Sequence, residues 1–513
     1  MPLSEAFNDF HVSRWSGRAL SIGRGWDLAA KLATDRDVAC AEPAFRCQGL
    51  EPDPEKPLAS YEAQATSLLP GEQPLPCARN NPVWSIELAG IDQAWKLPLP
   101  AHGKGKRYGK GIVVAHPDTG YTRHDEIWNQ RPRKRRILAS KGYDYEDDDP
   151  DAIDPLDGPF PSHGTSTASV IMSDHNPSAG STWVSGAAPK SKLIPFRVSD
   201  SVIHFDFTNV ALAIHQAVDG KAHVISMSLG GPFPSRFLER AIDRAINHGL
   251  SVLAAAGNSW PWVVYPARYR QVLAIAAHNC KKKPWSKSAR GGTVDISAPG
   301  ESVWRAETLK EKTDPYLVRM GSGTSYAVAT AAGACALWLA YHSRKRLEKR
   351  YGAANLASVF REILITEGFE KPPGWDKEKY GVGILRADRL LKADLPKTAP
   401  AAGPEPMALR MPQAAPTYRQ QIAEYFPSAD RPHMRTVLAQ FLGVDPEEVD
   451  GLLEVHGDEL SFHVATNPDF RTVIHTGARP RALLAAAPLR EISRDSLLKD
   501  NVSRLLRKRL GLK

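Results

Sequence analysis

The sequence predicts an α/β fold: a doubly wound, mostly parallel sheet with helices on both faces. Three observations carry this. Short, nearly continuous apolar runs recur between residues 111 and 277, amphipathic helical patterns separate them, and the alternation is bounded by two Pro-rich breaks.

The strand-like runs are "GIVVAH" (111–116), "SKLIPFRV" (191–198), "HVISMSLG" (223–230), "SVLAAAG" (251–257) and "QVLAIAA" (271–277). Strands covered on both faces are apolar at consecutive positions rather than alternate ones, which fits these runs. Helical patterns lie between them at "TNVALAIHQAVDG" (208–220) and "SRFLERAIDRAINHG" (235–249). In the second, Phe237, Leu238, Ala241, Ile242, Ala245 and Ile246 share one face, with Gly249 placed to close the helix. Reactive groups in such folds gather at the carboxyl ends of the strands.

A chain of 513 residues exceeds one ordinary core. The Pro-rich stretches at 48–80 and 393–417 read as linkers. They divide the chain into an N-terminal region (1–47), a central domain (81–392) and a C-terminal module (418–513). The module mixes helical ("RPHMRTVLAQFLG") and strand-like ("LSFHVATN") stretches, as a small α/β or α+β domain would, and ends in a basic amphipathic helix.

The composition is 42% hydrophobic and 24% charged, as in globular proteins, and no apolar run is long enough to span a membrane. The polar opening "MPLSEAFNDFHVSRWSGRA" lacks the apolar middle of a secretory signal. Five scattered cysteines without a C-x-x-C pair read as reduced thiols. A cytoplasmic location is the resulting expectation. The net charge is +9, with basic runs at 131–136, 281–283, 344–350 and 504–513. These read as solvated faces, since no aromatic-interleaved basic motif or zinc-finger spacing accompanies them.

Four motifs carry candidate chemistry. "GIVVAHPDTG" ends a strand with Asp118-Thr119-Gly120. An aspartic protease needs a second such motif to share a proton; none occurs, which leaves that chemistry only to a dimer. "SHGTSTASVIM" places His163 where an apolar helix begins, as a capping residue or a base; Gly164 after it permits another backbone to approach closely. "SVLAAAGNS" ends in Asn258, a turn former or an oxyanion donor. "GSGTSYAVATAAG" (321–333) places Ser325 at the start of a small-residue helix, where it is either a core hydroxyl or a nucleophile.

In their order Asp118, His163, Asn258, Ser325, these stretches resemble the subtilisin-like serine proteases, the subtilases. "VISMSLGG", "VYPARY", "ISAPG" and "YGVGILRADRLL" (380–391) add to the resemblance. It implies a serine endopeptidase acting through an acyl-enzyme, with Ser325 as nucleophile, His163 as base, Asp118 orienting the imidazole, and Asn258 with the Ser325 N–H as oxyanion hole. It also implies that Ser228, Leu229 and Gly230 pair with an extended substrate, that Ala255, Ala256 and Gly257 form the far wall of the pocket, and that Val264 replaces a glycine on its floor. Val264 is expected to favour small or medium apolar residues before the cut. Trp260 and Trp262 either line the cleft or anchor their loop. Departures from the family are Tyr326, Val328, Ala329 and Thr330 after the serine, and Ser166 and Ser169 after the histidine.

Residues 28–48 resemble the end of a subtilase prosegment, with any processing cut expected between 47 and 80. No cofactor is expected. The acidic stretch "YDYEDDDPDAIDPLDG" (143–158) reads as a solvated loop, with calcium binding as the alternative. The partners expected are protein or peptide substrates, and a further protein on the C-terminal module. A catalytically silent peptide-binding scaffold and a nucleic-acid-associated regulatory protease are the competing readings.

Overall fold

The computed structural model describes residues 22–32, 34, 41, and 74–400 except 129–134, 175–182, 205, 232–233, 261 and 311–314. In the C-terminal region it describes 439, 442–449, 451, 452, 455, 456, 459, 460 and 502–510. The chain divides into two compact units, one of residues 47–406 and one combining 1–46 with 407–513.

In the larger unit the strands are β1 (Val113–Asp118), β2 (Tyr143–Asp144), β3 (Lys192–Arg197), β4 (Val224–Met227), β5 (Ser251–Ala255), β6 (Leu273–His278), β7 (Ile296–Pro299), β8 (Val303–Thr308), β9 (Tyr316–Gly321), β10 (Phe369–Glu370) and β11 (Ile384–Leu385). Nine form one sheet in the order β10-β11-β7-β6-β5-β4-β1-β3-β2, while β8 and β9 make a separate antiparallel hairpin. All neighbours in the large sheet run parallel except β10 and β11. β4, β5, β6 and β7 are buried along their whole length, as strands covered on both faces are. β3 and β4 flank β1 on opposite sides, so the chain reverses its winding direction beside β1 and a crevice opens at the strands' carboxyl ends.

The helices that position the site are α1 (His163–Met172), α2 (Thr208–Asp219), α3 (Arg236–Asn247) and α4 (Thr324–His342). α3 forms as its pattern predicts. Ser235 Oγ accepts the Leu238 N–H, Phe237 through Ala245 supply the buried face, and Ile246 is half-buried. Gly249, at φ 81°, ends it: its N–H returns to Ile246 and that of Leu250 to Ala245. α4 is buried almost throughout, packed across β4 to β7, and small residues let it lie close to the sheet.

The β8–β9 hairpin packs on α1 through hydroxyls. Ser166 Oγ donates to the Ala306 carbonyl at 2.7 Å, the Ala306 N–H reaches Ser169 Oγ at 3.0 Å, and the Thr308 N–H reaches Ser162 Oγ at 2.8 Å. The two departures from the family pattern on α1 are thus the serines that satisfy the outer edge of β8.

One expectation is overturned. Cys77 and Cys280 form a disulfide, with Cα atoms 6.2 Å apart across 203 residues of sequence, so these two thiols are not free. No local spacing announces a pair so distant. The segment around Cys77 is brought there by tertiary contacts: Trp304 Nε1 donates to the Ala78 carbonyl and Trp84 Nε1 to that of Ser302.

In the smaller unit, helix Ile22–Leu32 packs against helix Arg504–Arg509, and the Arg504 N–H donates to Asp27 Oδ1 at 2.8 Å. Most of the prosegment-like region, both linkers and the C-terminal module lies outside the described residues.

Candidate active site

Asp118 is the last residue of β1 and His163 the first of α1. The helix can start there because Gly164 lies against the turn after β1: a Cβ on it would stand 2.0 Å from the Gly120 carbonyl oxygen. His163 Nδ1 lies 2.6 Å from Asp118 Oδ1, both groups buried. A carboxylate only accepts, so Nδ1 donates this bond, and in the neutral form of the ring the lone pair lies on Nε2. Nε2 is buried without a hydrogen-bond partner among the described residues. Burial would raise the Asp118 carboxyl, but the charge and hydrogen bond of His163, the His116 ring and the Thr119 N–H together hold it below its ordinary value.

Ser325 is the second residue of α4, so its N–H has no intrahelical acceptor and sits where the helix favours negative charge. Its hydroxyl donates to the Ser228 carbonyl at 3.3 Å, and Ser228 Oγ donates back to the Ser325 carbonyl at 3.1 Å. α1 and α4 pack directly together, so the helices that carry His163 and Ser325 are neighbours. At rest the hydroxyl is turned to Ser228, an arrangement that a rotation about one side-chain bond changes.

Asn258 follows β5, and its Oδ1 accepts both the N–H (2.9 Å) and the hydroxyl (2.7 Å) of Thr324. Because a backbone N–H only donates, the amide's oxygen must face Thr324, which leaves the Nδ2 protons for another acceptor. The Gly257 N–H in turn donates to Thr324 Oγ1. Thr324 therefore holds the amide in place, a role its position beside the serine did not disclose.

The expected pocket residues also converge. Val264 is buried, and its N–H donates to the Ala256 carbonyl. A Cβ on Gly230 would lie 2.5 Å from Val264 Cγ2, and one on Gly257 3.1 Å from Val264 Cγ1. The isopropyl group thus fills the gap between the two glycines. Trp260 borders the same place, 3.5 Å from that Gly257 position, and its ring lies 5.9 Å from that of Trp262.

The strand after β4 is not free. The Gly230 N–H donates to the Val202 carbonyl and the His204 N–H donates to the Gly230 carbonyl, both at 2.9 Å. Gly231 and Tyr265 exchange both of their backbone bonds at 2.8 Å. Ser201 and Ser199 hydroxyls brace the approaching segment by accepting the Ile203 and Ser201 N–H groups.

The acidic stretch is occupied by a guanidinium. Arg197 Nη1 meets Asp144 at 2.7 Å and Asp147 at 2.6 Å, and Nη2 meets Asp200 at 2.6 Å. No cluster of three or more potential metal-ligating His, Cys, Asp or Glu side chains occurs among the described residues.

The subtilase family model matches residues 109–382. The chain belongs to the subtilase family. Like its relatives, this subtilase is a serine endopeptidase. It is 30% identical over 307 residues to the thermostable alkaline protease of Halalkalibacterium halodurans, covering 60% of this chain and 72% of that one. To thermitase of Thermoactinomyces vulgaris it is 34% identical over 287 residues, covering 54% and 91%. Among solved structures it is similar to MycP1 from the ESX-1 type VII secretion system, with a TM-score of 0.47 and 20% identity, covering 65% of this chain and 91% of that one.

Proposed function

We propose that Ser325, His163 and Asp118 cut polypeptides after small residues, in a cleft whose substrate-pairing edge is self-occupied at rest. Ser325 Oγ attacks the scissile carbonyl carbon while its proton passes to His163 Nε2. Asn258 Nδ2 and the Ser325 N–H hold the oxyanion. Collapse breaks the C–N bond, the proton goes to the leaving amine, and water then releases the acyl group by the same route. The observation that carries this reading is the 2.6 Å Asp118–His163 bond, which orients the ring and puts the lone pair of its neutral form on Nε2, an atom without a hydrogen-bond partner among the described residues.

The preference for small residues rests on Val264 between Gly230 and Gly257. Restraint rests on the Val202–His204 segment, which holds both backbone groups of Gly230 that an added substrate strand would use. The Cys77–Cys280 bond removes the support that free thiols lent to a cytoplasmic location and favours an oxidising compartment. A serine-directed phosphonate tests the central claim: the wild type takes up one label and Ser325→Ala none. Labelling that survives Ser325→Ala overturns it.

A further inference from the structure

Asp118 is supported from behind by a second imidazole. His116 precedes it by two residues on β1, so both side chains leave the same face of the strand. Thr167 follows His163 by one turn on α1, so those two also share a face. The two repeats superpose, with Asp118 and His163 in front and His116 and Thr167 behind. All four residues are buried.

His116 Nε2 lies 3.0 Å from Thr167 Oγ1 and 3.7 Å from Asp118 Oδ2. The Thr167 hydroxyl also reaches Asp118 Oδ2 at 3.3 Å, the His163 carbonyl at 3.1 Å and the Gly164 carbonyl at 3.3 Å. It has one proton to give. Asp118 Oδ1 already receives His163 Nδ1 and the Thr119 N–H. Oδ2 is the charged acceptor left, and an unsatisfied buried carboxylate oxygen is costlier than a carbonyl with one bond fewer. The proton therefore belongs to Oδ2, and the hydroxyl's lone pair accepts from His116 Nε2–H. Burial lowers the His116 pKa, which keeps the ring neutral and consistent with a single ring proton.

We infer that His116 and Thr167 are positioning residues, a donor chain from His116 Nε2–H through the Thr167 hydroxyl to Asp118 Oδ2 that fixes the carboxylate while His163 takes and returns its proton. This rests on the roles proposed above for Asp118 and His163. The ordinary alternative is that Thr167 merely bonds back to the His163 carbonyl, as helical threonines do.

The test compares Thr167→Val with Thr167→Ser, counting active sites by phosphonate labelling. Thr167→Val is expected to lower kcat about tenfold with KM unchanged. The acid limb of kcat/KM moves to higher pH, because a carboxylate that has lost a donor holds more charge against the His163 ring and favours its protonated form, which cannot act as the base. Thr167→Ser, which keeps the hydroxyl, recovers both. Equal behaviour of the two variants with an unmoved acid limb overturns the inference. If Thr167→Val does not fold, ¹⁵N spectra of the wild-type His116 ring decide: a proton on Nε2 supports the chain and one on Nδ1 overturns it. A wild type that takes no label at Ser325 overturns the catalytic reading itself, whatever the ring spectra show.

Discussion

The His204 amide donates to the Gly230 carbonyl at 2.9 Å, and the Gly230 amide donates to Val202. A substrate strand entering at Gly230 must break both bonds. Hydrogen exchange reads this directly. In the free enzyme both amides are protected. With a peptidyl inhibitor bound, Gly230 stays protected by its new partner while His204 becomes exchangeable. Continued protection of His204 in the complex would show that substrate enters elsewhere.

The proposed role of Val264 is to select the residue that precedes the cut. Replacing it with glycine reopens the gap between Gly230 and Gly257. The ratio of kcat/KM for Phe over Ala at that position should rise about tenfold or more. A panel in which the wild type already cleaves best after large aromatics contradicts the assignment.

The strand ends were readable because the signal is local. A run apolar at every position marks a strand buried on both faces, and Asp118, His163, Asn258 and Ser325 sit at element boundaries that such runs define. Ser166 and Ser169 could be noticed as departures but not explained, because Ala306, their partner, belongs to a distant hairpin. Pairing of Gly230 with the Val202–His204 segment involves backbone atoms alone and has no side-chain signature. His116 did leave a trace, a polar residue closing the apolar run "GIVVAH", which strand periodicity alone reads as packing.

Arg197 places a positive charge among Asp144, Asp147 and Asp200. Thermal melting should be unchanged by a calcium chelator. Arg197→Met, by contrast, strands the buried Asp144 carboxylate and should cost about 3–5 kcal/mol in denaturant unfolding. The pairs to Asp147 and Asp200, whose side chains are 63% and 40% exposed, add little. A chelator-induced drop in melting temperature would refute this account.

Acid should unfold the enzyme early. Burial holds His278 and His223 down to about 3, and His215 and His342 to about 4, against an ordinary value of 6.5. Between those values the unfolded chain binds protons that the folded chain does not, so stability falls as pH drops from about 6.5 towards 4. Each group contributes up to about 1.4 kcal/mol per pH unit there. Unfolding free energies that stay flat over that window would exclude these four imidazoles as the acid-labile groups.

The bond between Cys77 and Cys280 closes residues 77–280 into a covalent ring holding Asp118, His163 and Asn258, while Ser325 lies on the chain outside it. A single nick anywhere within that ring separates no fragments. Self-cleavage there would pass unseen on a non-reducing gel, and no cut within the ring parts the imidazole from the serine unless the disulfide is reduced as well.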